Sequence, residues 1–86
     1  MKIARTERFK KAWILLTKTE KSLARKAISK LASDIRYPAL RVKKIKGVSD
    51  IWEARASLDL RITFQIKRDT ILLRNIGHHD ETIGRP

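Results

Sequence analysis

An α+β fold follows from three features of this sequence. Apolar side chains recur at helical spacing from Phe9 to Ile35. They recur at strand spacing from Ile51 to Ile76. The segments joining the later runs are only a few residues long. Short connections between strands imply an antiparallel meander, and two helices must then cover one of its faces. The predicted architecture is an N-terminal strand and an antiparallel helical hairpin packed on one face of a small, mainly antiparallel sheet.

The elements follow in order. Lys2 to Arg5 is extended in character, and Thr6 is a candidate N-cap for a helix from about Glu7. Phe9, Ala12, Trp13 and Leu16 fall on one face of that helix. Thr17-Lys-Thr-Glu20 is a capping-box pattern opening a second helix. Its stripe is Leu23, Ala24, Ala27, Ile28, Leu31, Ala32 and Ile35, and the opposite face carries Lys21, Arg25, Lys26 and Lys30. Those basic residues are either a solvated face or phosphate contacts. Tyr37-Pro38 ends the helix, because the residue before proline leaves the helical region. Leu40 to Lys46 alternates in part, with Leu40, Val42 and Ile45 inward, and Gly47 allows a turn.

Ile51 to Ser57 is the next strand. Alternation puts Ile51, Glu53, Arg55 and Ser57 on one face and Trp52, Ala54 and Ala56 on the other. After a turn at Leu58-Asp59, Leu60, Ile62, Phe64 and Ile66 face the core, while Arg61, Thr63, Gln65 and Lys67 face away. Thr70 to Ile76 is apolar enough to be buried on much of both faces, and Gly77 breaks it. The sheet face opposite the helices is expected to be free, and concave because sheets twist. Trp13 and Trp52 read as core residues rather than base-stacking platforms.

Size and composition bound the function. Eighty-six residues make one domain spanning residues 1–86, which buries about 60–65% of its unfolded surface. The absence of cysteine excludes disulfides and thiolate metal sites and permits a reducing compartment. The N-terminus lacks the apolar core of a secretory signal. The longest apolar run, Ala12 to Leu16, is far short of the ~20 residues a membrane span needs. A cytoplasmic location without membrane contact is expected. The net charge is +12, and all of it lies in the first half: residues 1–46 hold fifteen Lys/Arg and three Asp/Glu, residues 47–86 six of each. Such self-repulsion implies an anionic partner, nucleic acid first and an acidic protein second.

The strand pair IWEARASLDLRITFQI, preceded by KKIKG and followed by ILLRNIGHHD, resembles the RelE/ParE superfamily of bacterial toxin–antitoxin toxins. The pieces that match are Ile45-Lys46-Gly47, Arg55, Arg61 and His79-Asp80, and the likeness covers nearly the whole chain. The chain departs from RelE-like members in lacking a C-terminal tyrosine, Tyr37 being its only one, and in its Ser57-Leu58-Asp59-Leu60 turn. The resemblance implies one of two activities: metal-independent, ribosome-dependent cleavage of mRNA in RelE-like members, or inhibition of DNA gyrase in ParE-like ones. It also implies a cognate antitoxin that masks the basic surface. A degenerate toxin kept for antitoxin binding is a further alternative.

Cleavage of RNA without a metal needs a base for the 2′-hydroxyl, cations for the transition-state charge and an acid for the leaving 5′-oxygen. Arg61 and Arg55 are the candidates for the charge, because guanidinium binds phosphate bidentately and stays protonated. His79 is the candidate acid or base, and Glu53 a second base. Lys43, Lys44, Lys46 and Arg41 are the candidate RNA-backbone contacts. Glu53 and Arg55 could instead pair with each other, and His78-His79-Asp80 could be a plain polar terminus. No cofactor and no metal are expected, since adjacent strand histidines point to opposite faces. The RelE-like reading requires that His79, Arg61 and Glu53 converge on one phosphate-sized site; a gyrase binder does not.

Overall fold

The computed structural model describes residues 1–86. The chain opens with β1 (Lys2–Arg5), followed by α1 (Glu7–Ile14) and α2 (Lys18–Ser33). After a 3₁₀ turn at Pro38–Leu40 come β2 (Lys43–Lys44), β3 (Trp52–Arg55), β4 (Leu60–Lys67), β5 (Thr70–His78) and α3 (His79–Gly84). The sheet order is β1-β5-β4-β3-β2, with β1 parallel to β5 and every other pairing antiparallel. The α+β architecture predicted from patterning is therefore present, as a mixed sheet.

Both helix starts are built as their caps require. The Thr6 hydroxyl accepts from Phe9 N. Thr17 and Glu20 form the reciprocal capping box, at 3.1 Å and 2.8 Å. The connection Leu15–Thr17 is short, so α2 doubles back and both helices share one cluster. Phe9, Ala24, Ala27 and Leu31 pack there against Ala54, Leu60, Ile62, Phe64, Ile71, Leu73 and Ile76. The alanines let α2 approach closely, and Trp13 covers the edge of the cluster beneath the Arg25 guanidinium, 5.4 Å from its ring. Phe9→Ala should lower unfolding free energy by about 3–5 kcal/mol, because its side chain is 1% exposed. A urea titration with unchanged slope checks this.

Several expectations are corrected. The second helix stops at Ser33 rather than at Tyr37-Pro38. Asp34 leaves helical geometry, and its carboxylate accepts from Arg36 N at 3.0 Å, an alternative that Asp readily offers the backbone. Ile35 still packs on the core from outside the helix. The Leu40–Lys46 strand shrinks to Lys43–Lys44, because Arg41 adopts a left-handed conformation with φ 47°. Ile66 is substantially exposed rather than core. Gly77 does not break β5, which runs through it to His78.

The largest correction concerns the free face of the sheet. Thr63 does project there, yet it is fully buried. The chain after β5 folds back as α3, and its tail lies over β4 and β5. Thr63 Oγ1 donates to Pro86 O at 3.0 Å, and Asn75 Nδ2 donates to Arg85 O at 3.0 Å. A bulge leaves Arg74 unpaired on β5, opposite the Thr63/Phe64 step. The extra residue lets Arg74 reach Gln65 at 2.8 Å and Pro86 O at 3.3 Å. The part of this face over β4 and β5 is thus roofed, and the part toward β2 and β3 is not covered by α3.

Candidate functional site

Strand register places the polar residues of the open face in rows. One row runs Lys43, Glu53, Thr63, Asn75 across four strands, and the next runs Arg55, Arg61, Gly77 across three. Cross-strand partners share a face, so Glu53, Arg55 and Arg61 lie together there. The roof closes one side of these rows and brings His79, the first residue of α3, to their margin. Arg41, Lys43, Glu53, Arg55, Arg61 and His79 line one cleft of about 230 Å³ that contains no hydrophobic side chain. Larger concavities of about 560 and 510 Å³ lie elsewhere and are partly apolar. The cleft is distinguished by its chemistry rather than its size.

The two guanidinium groups repel each other and have no carboxylate partner. Backbone carbonyls of the β3–β4 turn hold them instead. Arg55 Nε donates to Ser57 O at 3.3 Å. Arg61 Nη1 donates to Ser57 O at 2.9 Å, with longer contacts to the carbonyls of Leu58 and Leu60. Carbonyl anchoring orients a guanidinium without neutralising it, so both positive charges stay available to an anion.

Glu53 is 6% exposed. Its ion-pair partner is Lys43, at 3.7 Å, and not Arg55 as one reading of the sequence had it. A carboxylate this buried requires nearby cations, which the cleft supplies. Four cations against one carboxylate leave the cleft at +3 with a neutral imidazole (4 − 1). Of the other candidate RNA contacts, Arg41 and Lys43 line the cleft, whereas Lys44 and Lys46 do not. Lys44 lies on the opposite face, its ammonium 5.4 Å from the centre of the Trp52 ring, and Lys46 is exposed in the turn before Gly47.

The two histidines part company. His79 lies in the cleft, with Nδ1 3.2 Å from Asp80 Oδ1. His78 turns away and bridges two acids: Nδ1 meets Asp59 Oδ2 at 2.5 Å, and Nε2 lies 3.6 Å from Glu20 Oε2. The hydrogen bond to Asp59 and that residue's charge raise the pKa of His78 above its ordinary 6.5; desolvation opposes this, and Glu20 and Glu81 add smaller increases. A raised folded-state pKa gives stability that is full below the unfolded value and lost as pH rises through the folded one. His78→Gln should therefore lower the thermal midpoint more at pH 5.5 than at pH 9, by a small amount because the pair is exposed. Melting curves of both proteins at the two pH values test this.

The α3 helix and the His78–Asp59 bridge are not evident from alternation of the strands. The available signal was Asp80-Glu81 after the histidines, acids suited to the first turn of a helix. No helix of the chain is long and apolar enough to cross a membrane.

A five-stranded mixed sheet with β1 at the edge, a helical hairpin on one face and a polar, cationic cleft on the other defines a class: the chain has the fold of the RelE/ParE toxin superfamily. Among solved structures it is similar to a metal-bound toxin from Helicobacter pylori, with 28% identity, a TM-score of 0.78, and 94% of this chain matched to 97% of that one. It is also similar to the RelB–RelE antitoxin–toxin complex from Methanococcus jannaschii, with 20% identity, a TM-score of 0.75, and coverage of 96% and 99%. The YoeB/ParE toxin from Agrobacterium tumefaciens superposes with a TM-score of 0.77 at 13% identity, over 92% of this chain and 99% of that one. No family model and no curated protein sequence matches the chain.

Proposed function

We propose that this protein is the toxin of a type II toxin–antitoxin system and a metal-independent, ribosome-associated mRNA endonuclease of the RelE-like branch. The observation that carries the reading is the gathering of Glu53, Arg55, Arg61 and His79 in one cleft with Arg41 and Lys43 at its side. Structural similarity to toxins and to an antitoxin–toxin complex supports it at the level of class. The antitoxin, the ribosome and mRNA are the proposed partners, in the cytoplasm.

The proposed chemistry follows from the positions. RNA enters along the part of this face toward β2 and β3, its backbone against Arg41 and Lys43. The buried carboxylate of Glu53 takes the proton of the 2′-hydroxyl, which attacks the adjacent phosphate in line. Arg55 and Arg61 bind the non-bridging oxygens and stabilise the charge that builds in the transition state. The imidazole of His79, steadied by Asp80, gives its proton to the departing 5′-oxygen. The products are a 2′,3′-cyclic phosphate and a free 5′-hydroxyl.

Inducing the protein in cells and mapping abundant messages by primer extension tests the reading. Cuts that need ongoing translation are the expected result. Growth arrest with intact messages and with gyrase trapped on DNA would replace it by the ParE-like reading. Absence of arrest would leave an inactive, antitoxin-binding homologue.

A further inference from the structure

The cleft owes its imidazole to a six-residue helix, and that helix needs a reason to lie where it does. Three observations converge on the segment between β5 and the end of the chain. Thr82, on α3, is buried to 2% exposure although its side chain is polar. It sits directly on the backbone of β5 at Gly77: a Cβ built on Gly77 would come within 2.8 Å of Thr82 Oγ1. Real Cβ atoms do not approach that closely, so any other residue at 77 must push α3 off the sheet or turn the Thr82 side chain. Gly77 is in register with Arg61, so the contact lies beside the guanidinium pair.

The tail beyond Thr82 is fastened independently. Arg8 Nη2, from α1, donates to Arg85 O at 2.6 Å, and Asn75 Nδ2 donates to the same carbonyl. Thr63 Oγ1 and Arg74 Nε both donate to Pro86 O. At the other end, His79 N donates to Asp59 O at 3.0 Å. The helix is therefore pinned before and after, and the Gly77–Thr82 contact sets its height above the sheet between the pins.

Resting on the nuclease reading above, we propose that Gly77 and Thr82 are positioning residues for cleavage: their close packing seats α3 on β5, and so fixes the distance from the His79 imidazole to a phosphate held by Arg55 and Arg61. Neither residue lines the cleft. Their effect is on the geometry of proton transfer, which is steep in distance: displacement by about 1 Å can cost up to about 100-fold in rate.

The test compares wild type, Gly77→Ala, Thr82→Ala and the double variant in single-turnover cleavage of a ribosome-bound message, with thermal midpoints and the His79 imidazole resonances recorded on the free proteins. Gly77→Ala is expected to slow cleavage about 10- to 100-fold with little change in KM and to shift the His79 resonances. Gly77→Ala/Thr82→Ala should be no slower than Thr82→Ala alone, because the threonine that the new methyl meets is gone. Equal rates for wild type and Gly77→Ala would overturn the proposal. So would a slow double variant whose His79 resonances match wild type. If Gly77→Ala does not fold, Thr82→Ala carries the test: it frees α3 without a clash, and unchanged rate and resonances there overturn the proposal as well. A wild-type protein that cuts no message would instead reject the nuclease reading, and the His79 resonances would still report whether the Gly77–Thr82 contact seats α3.

Discussion

Arg61→Ala should reduce mRNA cleavage by about 10²- to 10³-fold, the loss typical of removing one preorganised donor from a developing oxyanion. The fall should appear in kcat, since Arg61 is proposed to act on charge that exists only in the transition state. Stability should change little: the side chain is tied to turn carbonyls and carries no ion pair. Arg61→Lys keeps the charge but presents a point ammonium where a planar fork is needed, so it should recover only part of the rate. Single-turnover cleavage of a ribosome-bound message, with thermal melts as a control, measures all of this. An Arg61→Ala protein that cleaves at the wild-type rate would remove Arg61 from the site.

His79→Gln should cost about 10²- to 10⁴-fold, the range for a positioned acid or base. His78→Gln should cleave at close to the wild-type rate, because His78 faces Asp59 and Glu20 outside the cleft. Measuring both variants side by side separates the two neighbouring imidazoles. Loss of rate in His78→Gln, with retention in His79→Gln, would exchange their roles.

Local rules made much of this molecule legible before its structure. Thr6 and Thr17-x-x-Glu20 mark helix starts through hydrogen bonds spanning three residues, which proximity in the chain alone can form. The stripe from Ala24 to Leu31 and the alternation of Leu60, Ile62 and Phe64 mark buried faces because side-chain direction repeats with the backbone. The same alternation puts Glu53, Arg55 and Arg61 on one face, and so most of the candidate site was visible as a pattern.

Position across the sheet is a different matter. Lys43 pairs with Glu53, and Arg41 joins the cleft while Lys44 leaves it, because β2 is two residues long and Arg41 turns left-handed before it. In LRVKKIK the four basic residues look alike. Only the register of an edge strand sorts them. The roof is a stronger case. Nothing local to Thr63 says that it is buried, and nothing local to Gly77 says that strand β5 continues through it. The first follows from the tail returning over the sheet, with Thr63 bonded to Pro86 O, and the second from the pairing of Gly77 and His78 with Arg61 and Leu60 on β4. The sequence by itself determined the two long helices, the main strands, most of the core faces and the identity of the charged groups, since those depend on neighbours a few residues apart. The tertiary structure alone decided which of the charged groups meet, because long-range contacts between strands, tail and turn set those distances, and no periodicity encodes them.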